Sequence, residues 1–252
     1  RAAWSLLRGG FNLTVRRGLN GYRRALGLAP VRDILEHFVG ERPLLACDRA
    51  LAPPPADLAL PIEQVPCLHP FDDDEPLPEK LEDFLAAGPP PVYVGFGSMT
   101  DPDPRATTAS LLEAITRSGR RALLASGWAG LGEGPLPEGV LAIGTVPHAS
   151  LFPRVAAVVH HGGAGTTTTA ARAGVPQVVV PHVLDQFYWA ARVTALGVGA
   201  IAGRRRGLTA SALAEAIDAV AGNELVEQRA RELAARLREE RAGFPTLERV
   251  LG

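Results

Sequence analysis

From Pro91 onward, short apolar runs alternate with longer stretches in which apolar positions recur at helical spacing. The runs are Val92-Tyr93-Val94-Gly95-Phe96, Ala122-Leu123-Leu124-Ala125, Val140-Leu141-Ala142-Ile143, Val155 to Val159 and Val178 to Val180. Helical patterns occupy roughly Arg105 to Arg117 and the stretches after Val159 and Val180, and a helical tail runs from Thr209 to Leu251 with a break at Glu239–Pro245. Such alternation predicts βαβ units. Strands that are apolar at nearly every position must be buried on both faces, so the predicted fold is α/β, a Rossmann-like parallel sheet with helices on both faces and ligands at the carboxyl ends of the strands.

Before Pro91 the pattern is looser. Apolar positions from Leu6 to Leu28 recur at helical spacing among Arg16, Arg17, Arg23 and Arg24, which predicts one amphipathic helix with a solvated basic face. Short β-like runs at Leu44–Cys47 and Ile62–Val65 flank Pro53-Pro54-Pro55, whose rings cannot donate to a central ladder. The acidic run Asp72-Asp73-Asp74-Glu75 reads as a solvated linker rather than a metal site, and a helix is expected from about Glu79 to Ala87. Residues 1–70 are therefore assigned to the tail of one domain and its linker, and residues 71–252 to a second domain. Arg204-Arg205-Arg206 is expected on an exposed loop, with a donor phosphate or a weak membrane-surface contact as the alternative role.

Charge and cysteine content narrow the classes. A formal net charge of −1 on 252 residues gives no electrostatic reason to expect nucleic acid. Cys47 and Cys67 have no metal-type spacing, so a reducing, cytoplasmic setting without a disulfide framework is expected. Lys80 is the only lysine, a poor basis for Schiff-base chemistry. No apolar run approaches the ~20 residues that span a bilayer. The chain starts at Arg1, neither an initiator methionine nor a signal peptide, and is expected to be part of a longer protein.

Chemistry concentrates after the run that ends at Val159. His160-His161-Gly162-Gly163-Ala164-Gly165-Thr166-Thr167 places two histidines, a glycine-rich turn and hydroxyls at the opening of a helix. Glycines admit a sharp turn close to an anion, and a helix start offers unpaired N–H groups and the positive end of its dipole. A Walker loop would need Gly-Lys-Ser/Thr, and the dinucleotide fingerprint counted from Gly163 meets Thr168 where its last glycine belongs. Strand alternation sends His160 and His161 to opposite faces, which argues against a zinc pair, and the glycine turn immediately after His161 assigns it to the crevice and leaves His160 to packing. One strand later, Asp185-Gln186 offers acceptors and an amide suited to a hydroxyl-rich ligand. Ser98 lacks the Gly-x-Ser-x-Gly context of a hydrolase nucleophile, and His182 reads as support for the Asp185-Gln186 loop.

On these residues the sequence resembles the carboxyl-terminal donor half of nucleotide-sugar-dependent glycosyltransferases of the GT-B fold, in particular bacterial antibiotic and sterol glucosyltransferases. Gly95-Phe96-Gly97-Ser98 is similar to the family's first donor loop, Ser126-Gly127-Trp128 to the wall of the base pocket, and Val146-Pro147-His148 to the turn that pairs with a pyrimidine. The resemblance implies donor contacts from Gly97, Ser98, Trp128, Val146, His161, Gly163, Gly165, Thr166, Asp185 and Gln186. Within that set, His161 would bond the diphosphate and Asp185 with Gln186 would clamp the sugar. Thr145 and Thr169 stand where the plant version of the box has a stacking tryptophan and a ribose-binding glutamate.

What the resemblance implies is inverting transfer of a sugar from a UDP- or dTDP-sugar to a hydroxyl of an apolar acceptor such as a sterol or polyketide, with no metal or cofactor. The family's catalytic base is a histidine early in the amino-terminal domain, and nothing before residue 70 resembles that segment, so no catalytic residue is assigned here and a missing amino-terminal domain is the expected partner. Alternatives are a donor-binding subunit of a split glycosyltransferase and a nucleotide-sugar epimerase or phosphorylase-like enzyme.

Overall fold

The computed structural model describes residues 2–58, 60–68, 75–127, 130–132 and 134–244, so the acidic run at 72–74, Trp128 and residues 245–252 of the predicted helical tail lie outside the described residues. The chain divides into two compact units, Arg1–Ala46 with Pro54–Val65, and Cys47–Pro53 with Pro66–Gly252.

The first unit holds helices α1 (Ala2–Thr14), α2 (Arg16–Ala25) and α3 (Ile34–Val39) and a parallel pair, β1 (Leu44–Ala46) with β2 (Glu63–Val65). Where one helix was expected there are two. The Thr14 hydroxyl donates back to the Gly10 carbonyl at 2.7 Å, and the two helices divide at Val15, which has φ −99 but still donates to the Phe11 carbonyl and accepts from Leu19. Nor is the basic face wholly solvated. Arg16 and Arg23 donate to the carbonyls of Arg32 and Ala29. Asp33 organises the unit by capping α3 through the Glu36 N–H at 3.0 Å and accepting from Asn12 and Arg8, contacts that hold its carboxyl below the usual range.

The second unit contains α4 (Glu79–Ala86), β3 (Val92–Gly95), α5 (Pro104–Ser118), β4 (Ala122–Ala125), β5 (Val140–Ile143), α6 (His148–Leu151), β6 (Ala157–His160), α7 (Ala164–Ala173), β7 (Gln177–Val179), α8 (Gln186–Ala195), β8 (Gly199–Ile201), α9 (Ala210–Val220) and α10 (Glu224–Ala242). The strand predicted from Val155 starts two residues later, because a 3-10 turn at Phe152–Arg154 uses Val155 as its cap. Alternation along β3 explains the continuous apolar runs. Val92, Val94 and Phe96 pack on one face with Leu111 and Ile115 of α5 and Leu213 and Ile217 of α9. Tyr93 packs on the other face with Leu81 and Leu85 of α4 and Ala170 of α7.

All strand pairs of this sheet are parallel, in the order β5-β4-β3-β6-β7-β8. The order reverses between β3 and β6. At such a switch point the loops leaving the two strands diverge to opposite sides and open a crevice at their carboxyl ends. The predicted α/β class with a parallel sheet covered on both faces is borne out, and both glycine loops leave the two strands that flank the switch. Among the described residues no helix is long and apolar enough to cross a membrane.

One buried ion pair ties the segment at 47–53 to this unit. Arg172, in the last turn of α7, reaches the fully buried Asp48 carboxylate at 3.2 Å and the Cys67 carbonyl at 2.9 Å. Glu240 of α10 accepts the N–H groups of Arg49 and Ala50 at 2.8 Å, and Arg192 of α8 donates to the Leu51 carbonyl. Removing one partner of such a pair leaves a charge stranded in the interior. Arg172→Met should lower unfolding free energy by about 3–5 kcal/mol in denaturant titration, and a loss below about 1 kcal/mol would mean that water reaches Asp48.

Candidate functional site

The register of the two central strands places the loops. Gly95 lies opposite His160, so Gly97-Ser98 and His161–Gly165 leave adjacent strand ends side by side. The His161 ring sits between two glycines. A β-carbon at Gly97 would meet its Cε1 at 3.2 Å, and one at Gly163 would meet its Nε2 at 2.5 Å. Gly97 also has φ +60, a conformation that side chains disfavour. These glycines make room for the imidazole.

His161 is half-buried, and its Nδ1 is buried without a hydrogen-bond partner. Burial lowers its pKa, as does the nearby ring of His182, while Asp185 opposes the shift. The rings of His161 and His182 meet edge to face at 6.3 Å. His182 donates from Nδ1 to the Val180 carbonyl at 2.7 Å, which leaves its Nε2 as an acceptor. Helix α7 begins beside His161 with Gly163 as its N-cap and no side-chain cap, so the first-turn N–H groups of Gly165 and Thr166 are not consumed by capping.

The neighbouring cleft has a volume of about 570 Å³ and is lined by Gly97, Ser98, Gly127, the turn Gly144–Ala149, Thr169, Glu75, Tyr93 and Ala125. Val146, Gly97 and Ser98 from the predicted set lie on its wall, as do both departures from the plant pattern, Thr145 and Thr169. Trp128 lies outside the described residues. Sequence reading missed Tyr93 and Glu75. The buried Tyr93 hydroxyl lies 3.0 Å from Nε2 of His148, whose ring stacks on Phe152 at 4.5 Å, so an aromatic cluster backs the cleft. A polar tip within an otherwise apolar strand was the available signal.

Asp185 and Gln186 are not on that wall. Asp185 is exposed at the start of α8 and accepts from Trp189 Nε1 at 3.0 Å. Gln186 is buried, and its Oε1 accepts the N–H groups of His182 and Val183 at 2.7 and 3.0 Å. Leu184 just before them is 86% exposed with φ +53, a strained conformation for a branched residue held in the loop that presents the pair. The arginine run is only partly exposed. Arg204 lies over the Phe187 ring at 5.2 Å, whereas Arg205 pairs with Asp101, whose side chain is 3% exposed, and with Thr107.

His148, His160, His161 and His182 all have pKa values held below the ordinary range, in each case chiefly by burial. A histidine depressed in the folded state contributes stability above its unfolded pKa of about 6.5 and loses it as pH falls towards the folded value. The melting temperature should therefore fall by a few °C between about pH 7 and 5, above the range where the depressed carboxyls of Asp33 and Asp101 act. A flat or rising melting temperature over that window would contradict the burial of these rings.

Residues 127–252, half of the chain, match the profile of a family described as "Erythromycin biosynthesis protein CIII-like, C-terminal domain". The chain is 45% identical to a vancomycin aglycone glucosyltransferase of Amycolatopsis orientalis over 185 residues, covering 72% of this chain and 44% of that protein. It is 37% identical over 151 residues to sterol 3-beta-glucosyltransferase UGT80A2 of Arabidopsis thaliana, covering 59% of this chain and 24% of that protein. Among solved structures, the glycotransferase of kitacinnamycin matches with a TM-score of 0.70 at 23% identity, covering 96% of this chain and 63% of that one. The chain thus spans less than half the length of the curated relatives it matches. These matches bear out the resemblance to antibiotic and sterol glycosyltransferases of the GT-B fold.

Proposed function

Because the chain belongs to the EryCIII-like carboxyl-terminal domain family of glycosyltransferases, we propose that it is the donor-binding part of an enzyme that moves a sugar from a UDP- or dTDP-sugar to a hydroxyl of an apolar acceptor. The observation that carries this reading is the buried, unpartnered Nδ1 of His161 in a loop with an uncapped helix start. A buried polar atom left unpaired is destabilising, and a bound anion that accepts from it would remove that deficit.

On this reading the diphosphate lies against His161, Ser98 and the first turn of α7, and the nucleoside fills the cleft beside Val146 and Gly127. Negative charge that develops on the leaving diphosphate as the glycosidic bond breaks is met by N–H and hydroxyl dipoles already in place, and no metal is needed in this role. Inversion requires a base to take the acceptor proton, and that base is assigned to an amino-terminal domain. Asp185 and Gln186 are assigned to the sugar hydroxyls. The working location is proposed to be the cytoplasm, where cysteines outside any disulfide and nucleotide sugars coexist.

Calorimetry with UDP, dTDP and the free nucleosides tests the phosphate site. Each diphosphate should bind more tightly than its nucleoside, and His161→Ala should remove about 1–3 kcal/mol of that preference while leaving nucleoside affinity unchanged. Equal affinity for UDP and uridine in the wild type would end the reading.

Asp185→Asn keeps an acceptor for Trp189 but removes a charge, so it should weaken nucleotide-sugar binding more than diphosphate binding. Equal losses for the two ligands would separate Asp185 from the sugar.

A further inference from the structure

His160 has no assigned role in this chemistry, yet it is fully buried at the carboxyl end of β6. Its Nδ1 accepts the N–H of Gly162 at 3.1 Å, and an accepting ring nitrogen carries no proton. The proton of the neutral ring is therefore on Nε2, which donates to Oε1 of Gln177 at 2.9 Å. Gln177 is also fully buried, on the strand paired with β6. The reverse amide orientation would set an N–H of Gln177 against the Nε2–H of His160, so the amide is fixed with its own Nε2 left without a partner. A fold that retains a buried, unpaired amide is holding an arrangement that packing alone does not require.

The arrangement acts on the turn into the anion loop. Gly162 has φ +87, and a β-carbon there would meet Val179 Cγ1 at 2.8 Å and the Gln186 carbonyl at 3.0 Å. Its N–H, held by His160, sets the angle at which the chain leaves β6, and the residues on either side of that N–H are His161 and the N-cap of α7.

We propose that His160 is a positioning residue: as a neutral acceptor in a single tautomer, fixed by Gln177, it locks the Gly162 turn so that His161 and the first N–H groups of α7 converge on one diphosphate. This rests on the reading of the loop as a diphosphate site. The ring is held neutral with its pKa pushed down to about 3, chiefly by burial and with His161 and His148 adding to the shift while the bond to Gln177 opposes it. A protonated ring would turn an Nδ1–H against the Gly162 N–H and break the lock.

Two substitutions in the 252-residue chain separate the two ring nitrogens. Nδ1 is two bonds from Cβ, as is the amide oxygen of asparagine; Nε2 is three bonds away, as is the amide end of glutamine. His160→Asn therefore keeps an acceptor for Gly162, and His160→Gln keeps only the contact with Gln177. The ratio of UDP to uridine affinity should stay within about threefold of wild type in His160→Asn and fall by about 10- to 100-fold in His160→Gln, with uridine affinity constant in both. A ratio preserved in His160→Gln, or lost equally in both variants, would overturn the proposal while leaving the diphosphate reading intact. A wild-type chain that binds UDP no better than uridine would remove that reading and the proposal with it. If the variants fail to fold, ring 15N resonances of the wild type decide: a neutral Nε2–H form of His160 across about pH 5 to 8 is expected, and an Nδ1–H form or a titration in that range overturns it.

Discussion

The crevice depends on one steric constraint, the insertion of the His161 imidazole between Gly97 and Gly163. The glycines come from different loops, and the loops come from neighbouring parallel strands, so the constraint is met only while Gly95 stays opposite His160. Register is in turn fixed by burial on both faces of the sheet. A one-residue slip of β6 would exchange the faces of His160 and His161, put a bonded, fully buried ring into solvent and move Val158 and Val159 out of their separate cores. Local geometry at the anion loop is thus held by the hydrophobic effect acting along two whole strands.

The same loop is notable for how little formal charge it contains. His161 is held towards its neutral form by burial, Arg205 is engaged by the buried side chain of Asp101, and Arg172 by the buried Asp48. On the proposed reading, attraction for an anion falls to oriented dipoles, namely a ring N–H, hydroxyls and the start of α7. Such groups need no counter-ion and little reorganisation when charge develops.

Legibility tracked sequence distance. Apolar runs disclosed every strand of the main sheet before β8, and period-two alternation separated His160 from His161, with the glycine turn after His161 deciding which was assigned to the crevice. The division of the first helix at Val15 was not readable from spacing, since the helical period of apolar positions runs on from Leu6 to Leu28. Arg205 was read as exposed because its partner, Asp101, is 104 residues away, and Asp48 and Arg172 are 124 residues apart. Tyr93 and His148 were hidden for the same reason, their contact linking a strand to a turn 55 residues later. The candidate site residues were legible as types and spacings; what each polar atom does was not.

Gln186 illustrates that last difference. Its Oε1 already accepts two backbone N–H groups of the loop it follows, so offering that oxygen to a sugar would leave both donors unpaired. Its Nε2 faces only the Met99 sulfur at 3.6 Å, a weak acceptor that a hydroxyl oxygen can replace with gain. Asp185 has one oxygen taken by Trp189 and the other available to accept. On the proposed reading the pair then acts as one donor and one acceptor, rather than as two acceptors, and neighbouring hydroxyls of a sugar can satisfy both at once. The strain at Leu184 has a place in that account: a left-handed residue there lets the chain turn back so that Gln186 can close the loop on itself while Asp185 stays in solvent.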